Sequence, residues 1–250
     1  MTRTAHGARR IAVAAVAFAL FAGFAALGTW QVQRRAWKLA LIERVEQRIR
    51  NAPVDAPGPP AWPMVGAAAD EYRRVRVHGS FVHGVDTFVQ AATERGAGFW
   101  VLTPLQRADG SMVLVNRGFV PPAVRASPAN LAHAEGAISV TGLLRISEPG
   151  GGFLRRNDAA ANRWYSRDVQ AIAAARGLVR VAPYFIDADA DADAAPPTPT
   201  ASGTAPVGGL TIVAFHNSHL VYAITWFTLA LMAVAGGWRF MREEHGGKPD

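Results

Sequence analysis

Residues 216–238 read "HNSHLVYAITWFTLALMAVAGGW", a long apolar run whose opening is polar. From His219 to Trp238 no full charge interrupts twenty residues. At about 1.5 Å per helical residue such a run spans about 30 Å, the thickness of a bilayer's hydrocarbon core. A second run, Ile11–Trp30 ("IAVAAVAFALFAGFAALGTW"), matches it in length and is equally free of charge. Both finish on a tryptophan, a residue that favours the lipid headgroup level. The two runs predict two membrane-spanning helices, one near each end of the chain.

The basic stretch before the first run, "TRTAHGARR" (2–10), would also suit a cleaved signal peptide. The run is long for that role and passes unbroken into "GTWQVQRRAWK" (28–38), which favours a retained anchor. Half of the residues are apolar and the net charge is +7, nearly all from arginine, since Lys38 and Lys248 are the only lysines. Acids are interspersed along the chain. With two spans present, the basic balance points to a membrane surface and not to nucleic acid. There is no cysteine, which excludes disulfides, thiolate metal sites and cysteine catalysis. Charge leaves the topology open. Arg239, Arg242 and Lys248 favour cytoplasmic termini, whereas Arg34, Arg35 and Lys38 crowd the opposite end of the first span.

Between the spans, residues 31–50 continue at helical spacing as a juxtamembrane helix, with Trp30, Trp37, Leu41 and Val45 on one face. A proline-rich linker, 51–71, ends it, because proline cannot extend a helix. Residues 72–215 have strand character. "YRRVRVHGSFV" alternates valine with arginine, as a strand with one wet face does, and "VDTFVQA", "GFWVLTPLQ", "SMVLVNRGFV" and "AISVTGLLRIS" follow. "QRADGSMVLV" predicts a hairpin with Asp109-Gly110 at its tip. "SRDVQAIAAARG" predicts one helix, with Ser166 or Asp168 as its cap and Gly177 as its stop. The fold class is therefore an α+β membrane protein: two transmembrane helices, 11–30 and 216–238, bracketing a β-rich antiparallel sheet or partly closed barrel. Residues 1–10 and 239–250 are cytoplasmic tails, and 187–209 is a flexible loop. Its "DADADADA" lacks the glycine and glutamate of a calcium loop.

No nucleophile elbow, phosphate loop or zinc-protease helix is present, so the chain supplies no reaction and reads as a binding protein. The seven histidines are scattered, and only His216 and His219 lie close together. Asn217 or Ser218 can cap the second span. His219 needs another account. At 3.6 residues per turn, His219, Tyr222, Ala223, Trp226 and Ala230 share a helix face, a flat slot suited to a haem-like macrocycle with an axial imidazole. The same residues would also serve as interfacial anchors, and spacing alone leaves both readings standing. On the first span, Ala15, Ala19 and Gly23 form a ridge of small residues, where the second span or a partner's helix would pack closely.

Several segments together resemble the surfeit-locus-one family of cytochrome c oxidase assembly factors. They are "LGTWQVQRRAWKLALI", "YRRVRVHGSF", "VLTPL" with "VLVNRGFVP", "GLLRISEP", and "NSHLVYAITWFTLA", in the family's order from about Leu27 to Ala230. The resemblance implies a chaperone that binds haem a as transient cargo and assists its insertion into the nascent catalytic subunit of the oxidase. Haem a synthase is a further implied partner. It also implies a bacterial inner membrane, with both termini cytoplasmic and the β-rich domain periplasmic. The motif histidine, the family's proposed haem ligand, falls on His219, with His216 as the alternative axial nitrogen. Tyr222 and Trp226 lie in the same motif. Trp30 and Arg34 are implied neighbours of the macrocycle or its propionates, which arginine can grip in bidentate fashion. The competing function is a scaffold that binds the oxidase subunit through protein contacts alone.

Overall fold

The computed structural model describes residues 2–127, 131, 136–152, 154–190, 204–210 and 217–246. His216 and most of the Asp-Ala and Pro-Thr tract, 191–203, lie outside the described residues. Along the chain the elements are α1 (Thr2–Arg50), β1 (Val54–Asp55), a 3-10 helix (Pro59–Met64), α2 (Ala67–Asp70), β2 (Arg74–Phe81), β3 (Thr87–Thr93), β4 (Gly96–Gln106), β5 (Met112–Val120), α3 (Pro122–Ala126), β6 (Ala137–Ile146), α4 (Val169–Ala175), β7 (Val181–Ala188) and α5 (His219–Gly246). They divide into two compact units, 1–44 with 214–250, and 45–213.

The first unit is a pair of helices. Both are long and apolar enough to cross a membrane, with mean hydropathy of 2.4 in the α1 span and 1.8 in the α5 span. A soluble core helix would hide its large apolar side chains. Here Ile11 and Phe18 are 73% and 71% exposed, as lipid-facing residues are. The expected span and juxtamembrane helix are one uninterrupted helix, because no proline occurs before Pro53. The helices pair antiparallel. Phe24 stacks on Trp226 at 5.8 Å, Gly28 faces the Phe227 ring, Gly237 meets Ala17, and Arg9 lies 5.1 Å over the Phe240 ring. On α5 the seam runs His219, Ala223, Trp226, Ala230, a 4-3-4 spacing that keeps one stripe toward the partner helix. The expected ridge of Ala15, Ala19 and Gly23 is exposed instead, and nothing lies within 4 Å of a Cβ built on Gly23. Gly23 is one residue, about 100° of helix turn, away from the seam residue Phe24.

The second unit is a closed barrel. The sheet order is β1-β2-β6-β7-β5-β4-β3, and β2 also pairs with β4 through Ser80↔Gln106 and Phe81↔Leu105. Five strands, β2, β6, β7, β5 and β4, thus form the ring; β7 and β5 run parallel and the other ring pairs antiparallel. Side chains two residues apart point inward: Val75 and Val77, Val113 and Val115, Tyr184 and Ile186, with Leu105, Val140 and Leu144. Outside, Leu102, Leu114 and Phe185 pack beneath Val169 and Ile172 of α4, together with Trp164 and Val89. The expected hairpin is present. Gly110 takes φ +74 at its tip, and Asp109 accepts from the Ser111 hydroxyl and from the Ser111 amide at 2.9 Å, bonds that in that order hold its pKa below the ordinary value. The expected helix is α4, capped by Asp168, whose side chain accepts from the Ala171 amide.

Three sequence expectations are corrected. The strand β7 was not foreseen: buried on both faces and carrying Pro183, it has no alternation to betray it. Its pairing with β5 is irregular between Met112 and Leu114, opposite the proline. Residues 51–71 are no linker. Ala56 sits in the barrel core, and the Pro57 carbonyl accepts from Tyr184 Oη at 2.7 Å, Trp62 Nε1 at 3.1 Å and Arg107 at 3.1 Å. Trp62 and Val65 pack against the same core, so this segment is part of the barrel unit. The loop expected at 187–209 begins two residues inside β7, and near its far end Val207 exchanges backbone hydrogen bonds with Phe119.

Candidate functional site

The site is built where the two helices of the first unit meet. His219 is the first residue of α5, and its amide donates to Asn217 Oδ1 at 3.4 Å, so Asn217 supplies the cap. The ring is half-buried and turns toward α1, where its Nδ1 lies 2.7 Å from Oε1 of Gln31. Gln31 is 8% exposed although its neighbours Trp30, Val32 and Gln33 are all exposed. Two features let the helices come this close. Gly28, one turn before Gln31, has no side chain where a Cβ would stand 2.7 Å from the Phe227 ring. Ala223, one turn after His219, is buried and small.

Chemistry follows from that one contact. An amide oxygen can only accept, so the pair makes Nδ1 the protonated ring nitrogen. The lone pair then resides on Nε2, which has no hydrogen-bond partner among the described residues. A neutral imidazole with its second nitrogen anchored is the usual state of a metal-ligating histidine. The residues present therefore fit an axial ligand to haem iron.

The other anticipated residues are placed differently. Trp226 lies on the seam, but Phe24 covers it in a stacked arrangement with 24° between the rings. Tyr222 is 53% exposed at the edge of that seam, and Trp30 is 54% exposed. The guanidinium of Arg34 lies 4.2 Å over the ring of Trp37, so Trp30, Arg34 and Trp37 make a stripe beside the buried Gln31. The sequence reading missed Gln31 and Phe24. A signal for Gln31 was present: a polar side chain three residues after a glycine, at the same end of its span as His219 is of the other. His216 lies outside the described residues.

The barrel unit holds a second polar cluster. Asp187, on the outer face of β7, accepts from Asn116 at 2.7 Å, Arg145 at 2.9 Å and Arg167 at 3.1 Å. Glu71 takes the other side of Arg145 at 2.7 Å, and Glu148 takes Arg167 through two bonds of 2.6 and 3.0 Å. Burial alone would lower the pKa of Arg145; Asp187 and Glu71 outweigh it and raise it. Every charge here is answered by another. Among the described residues, no group of three or more His, Asp and Glu is arranged to hold a metal ion.

The model of the SURF1 family matches residues 18–231, from the first helix through the barrel into the last helix. The chain belongs to the SURF1 family. Among curated relatives, Surfeit locus protein 1 of Homo sapiens is 36% identical over 222 residues, covering 82% of this chain and 69% of the human one. The SURF1-like protein of Monosiga brevicollis is 35% identical over 236 residues, 89% of this chain and 84% of its own. That of Drosophila melanogaster is 33% identical over 223 residues, covering 82% and 69%. The SURF1 match thus takes in both Gln31 and His219.

Proposed function

We propose that this chain is a cytochrome c oxidase assembly factor that binds haem a through His219 and hands it to the nascent catalytic subunit. Membership of the SURF1 family supports the assembly role. The observation that carries haem binding is the His219 ring, half-buried at the start of α5, with Nδ1 engaged and the Nε2 lone pair left to coordinate. The cargo would bring its own iron; the chain contributes the axial nitrogen, the exposed ring of Tyr222 beside it, and Arg34 one turn beyond Gln31 as a partner for a propionate. No covalent bond changes, so the protein is a carrier and not an enzyme.

The antiparallel pair also supports a topology. Arg9, Arg10, Arg239 and Arg242 lie at one end of the helix pair, where a cytoplasmic excess of basic residues is expected. We assign that end to the cytoplasm and the barrel to the periplasm of a bacterial inner membrane. There the barrel would meet the oxidase subunit and haem a synthase.

The test is visible absorption of the full chain, purified in detergent from cells that make haem a. The wild type should carry a Soret band, H219A should lose it, and assembled oxidase should fall with it. H216A should keep the band. A colourless, folded wild type, or H219A cells with undiminished oxidase, would leave the scaffold reading in its place.

A further inference from the structure

We infer that Gln31 is the positioning residue of this site: its neutral amide selects the His219 tautomer and sets the imidazole to the donor strength of a ligand that must be released. This rests on the haem reading of His219.

The geometry gives Gln31 no other evident employment. It is a buried amide where the apolar span of α1 gives way to its polar continuation, flanked by exposed residues, and an unsatisfied buried amide costs about 1–3 kcal/mol. One bond of 2.7 Å across the seam satisfies its oxygen. The bond spans 188 residues of sequence and links the last part of one span to the first residue of the other. It therefore needs the close approach that Gly28 and Ala223 allow. Packing alone would be met by leucine or methionine at this position, and neither would fix which ring nitrogen carries the proton.

The choice of an amide has a consequence for release. A hydrogen-bond acceptor on Nδ1–H raises the basicity of Nε2 and strengthens its bond to a metal. A carboxylate does this most, an amide less, an apolar side chain not at all. A resident haem protein gains from the strongest acceptor. A carrier must let go, and the amide gives an oriented ligand without the pull of a full negative charge. It also avoids burying an ion at the edge of hydrocarbon.

The experiment uses the full chain in detergent with three side chains at position 31: the wild type, Q31M, which keeps volume but loses the acceptor, and Q31E, which restores one. In haem-free protein, nitrogen NMR of ring-labelled histidine should report the Nδ1–H tautomer of His219 in the wild type and Q31E, and a mixture in Q31M. In ferrous haem-loaded protein, the iron–histidine stretch should fall in Q31M and rise in Q31E. Haem affinity should drop about 10–100-fold in Q31M, the usual cost of losing such a partner. Transfer to a haem-free globin added as acceptor should be fastest from Q31M and slowest from Q31E. A structural role would move the melting temperature without ordering the three stretches. A wild type that takes up haem through His219, with tautomer, stretch and affinity unchanged in Q31M, overturns the role of Gln31 alone. A wild type that takes up no haem overturns the haem reading and this inference together.

Discussion

Asp187 is buried and His219 half-buried, and these two polar side chains are satisfied to different degrees. Asp187 lies in the barrel unit with Asn116, Arg145 and Arg167 on its two oxygens, and the arginines are held from behind by Glu71 and Glu148. His219 lies in the helix pair with one nitrogen bonded to a neutral amide and the other without a partner among the described residues. The difference teaches where to look for function. A saturated network has its donors and acceptors already paired, whereas a ring anchored on one side keeps a lone pair to offer. The media also differ. An ionic network is tolerable at a barrel's edge, but charges buried against lipid are costly, so the helix pair uses a neutral pair.

The comparison breaks hardest at Asp187. Removing Asp187 leaves Arg145 still paired with Glu71 and Arg167 with Glu148, so the cost belongs at the low side of breaking a buried ionic set, about 3 kcal/mol. D187A should therefore lower the unfolding free energy of the full chain in detergent, measured by urea titration, by that amount, through Arg145 and Arg167, whose guanidinium groups would lose their shared carboxylate. Haem bound per folded molecule should stay at the wild-type level. A D187A protein as stable as the wild type would show that the network is idle. A folded D187A protein without haem would show that the two regions do not divide the work as argued.

Tyr184 sharpens the same contrast through pH. Its phenol is enclosed in the barrel and donates to the Pro57 carbonyl; burial pushes its pKa up to about 12, from an ordinary value of 10.0. Between those values the unfolded chain releases the proton and the folded chain keeps it. Stability is therefore fully present below pH 10 and falls as pH rises toward 12, by about 2–3 kcal/mol in all. Urea midpoints measured from pH 8 upward should decline more steeply in the wild type than in Y184F. Equal slopes would mean that the ring is not held dry.

Most of the barrel was legible in the sequence because half-buried strands alternate, as "RVRVHGSF" does in β2. The rest was hidden for stated physical reasons. A strand buried on both faces has no period to read, which concealed β7, and proline is uncommon inside a central strand such as this one. The docking of 51–71 on the barrel core depends on hydrogen bonds to one carbonyl from residues as far away as Tyr184. At the site, His219 was legible because an imidazole at the head of an apolar helix is out of place. Its partner was not. Helical periodicity sorts residues onto faces of their own helix but does not say what the other helix brings opposite. In an alanine-rich span, small residues recur on several faces. The sequence therefore offered Ala15, Ala19 and Gly23 as readily as the Ala17 and Gly28 that the helices use.

Gly28 carries the last and smallest effect. A Cβ there would stand 2.7–2.9 Å from three carbons of the Phe227 ring, closer than side chains tolerate. In G28A either the ring swings aside or the helices part. Phe227 is partly exposed and its ring edge can yield, so the cost belongs at the low side of overpacking, about 1–2 kcal/mol. Even so, Gln31 is one turn away on the same seam, and a hydrogen bond of 2.7 Å does not survive helix separation of even an ångström. G28A should lower haem affinity by roughly 5–30-fold, the equivalent of that energy, while leaving the urea midpoint set by Asp187 unchanged. The double variant G28A/F227A, which removes the ring, should recover most of the loss. Recovery would trace the defect to the distance between helices; a loss that persists in the double variant would mean that Gly28 acts on the site by some other route than the approach of α1 to α5.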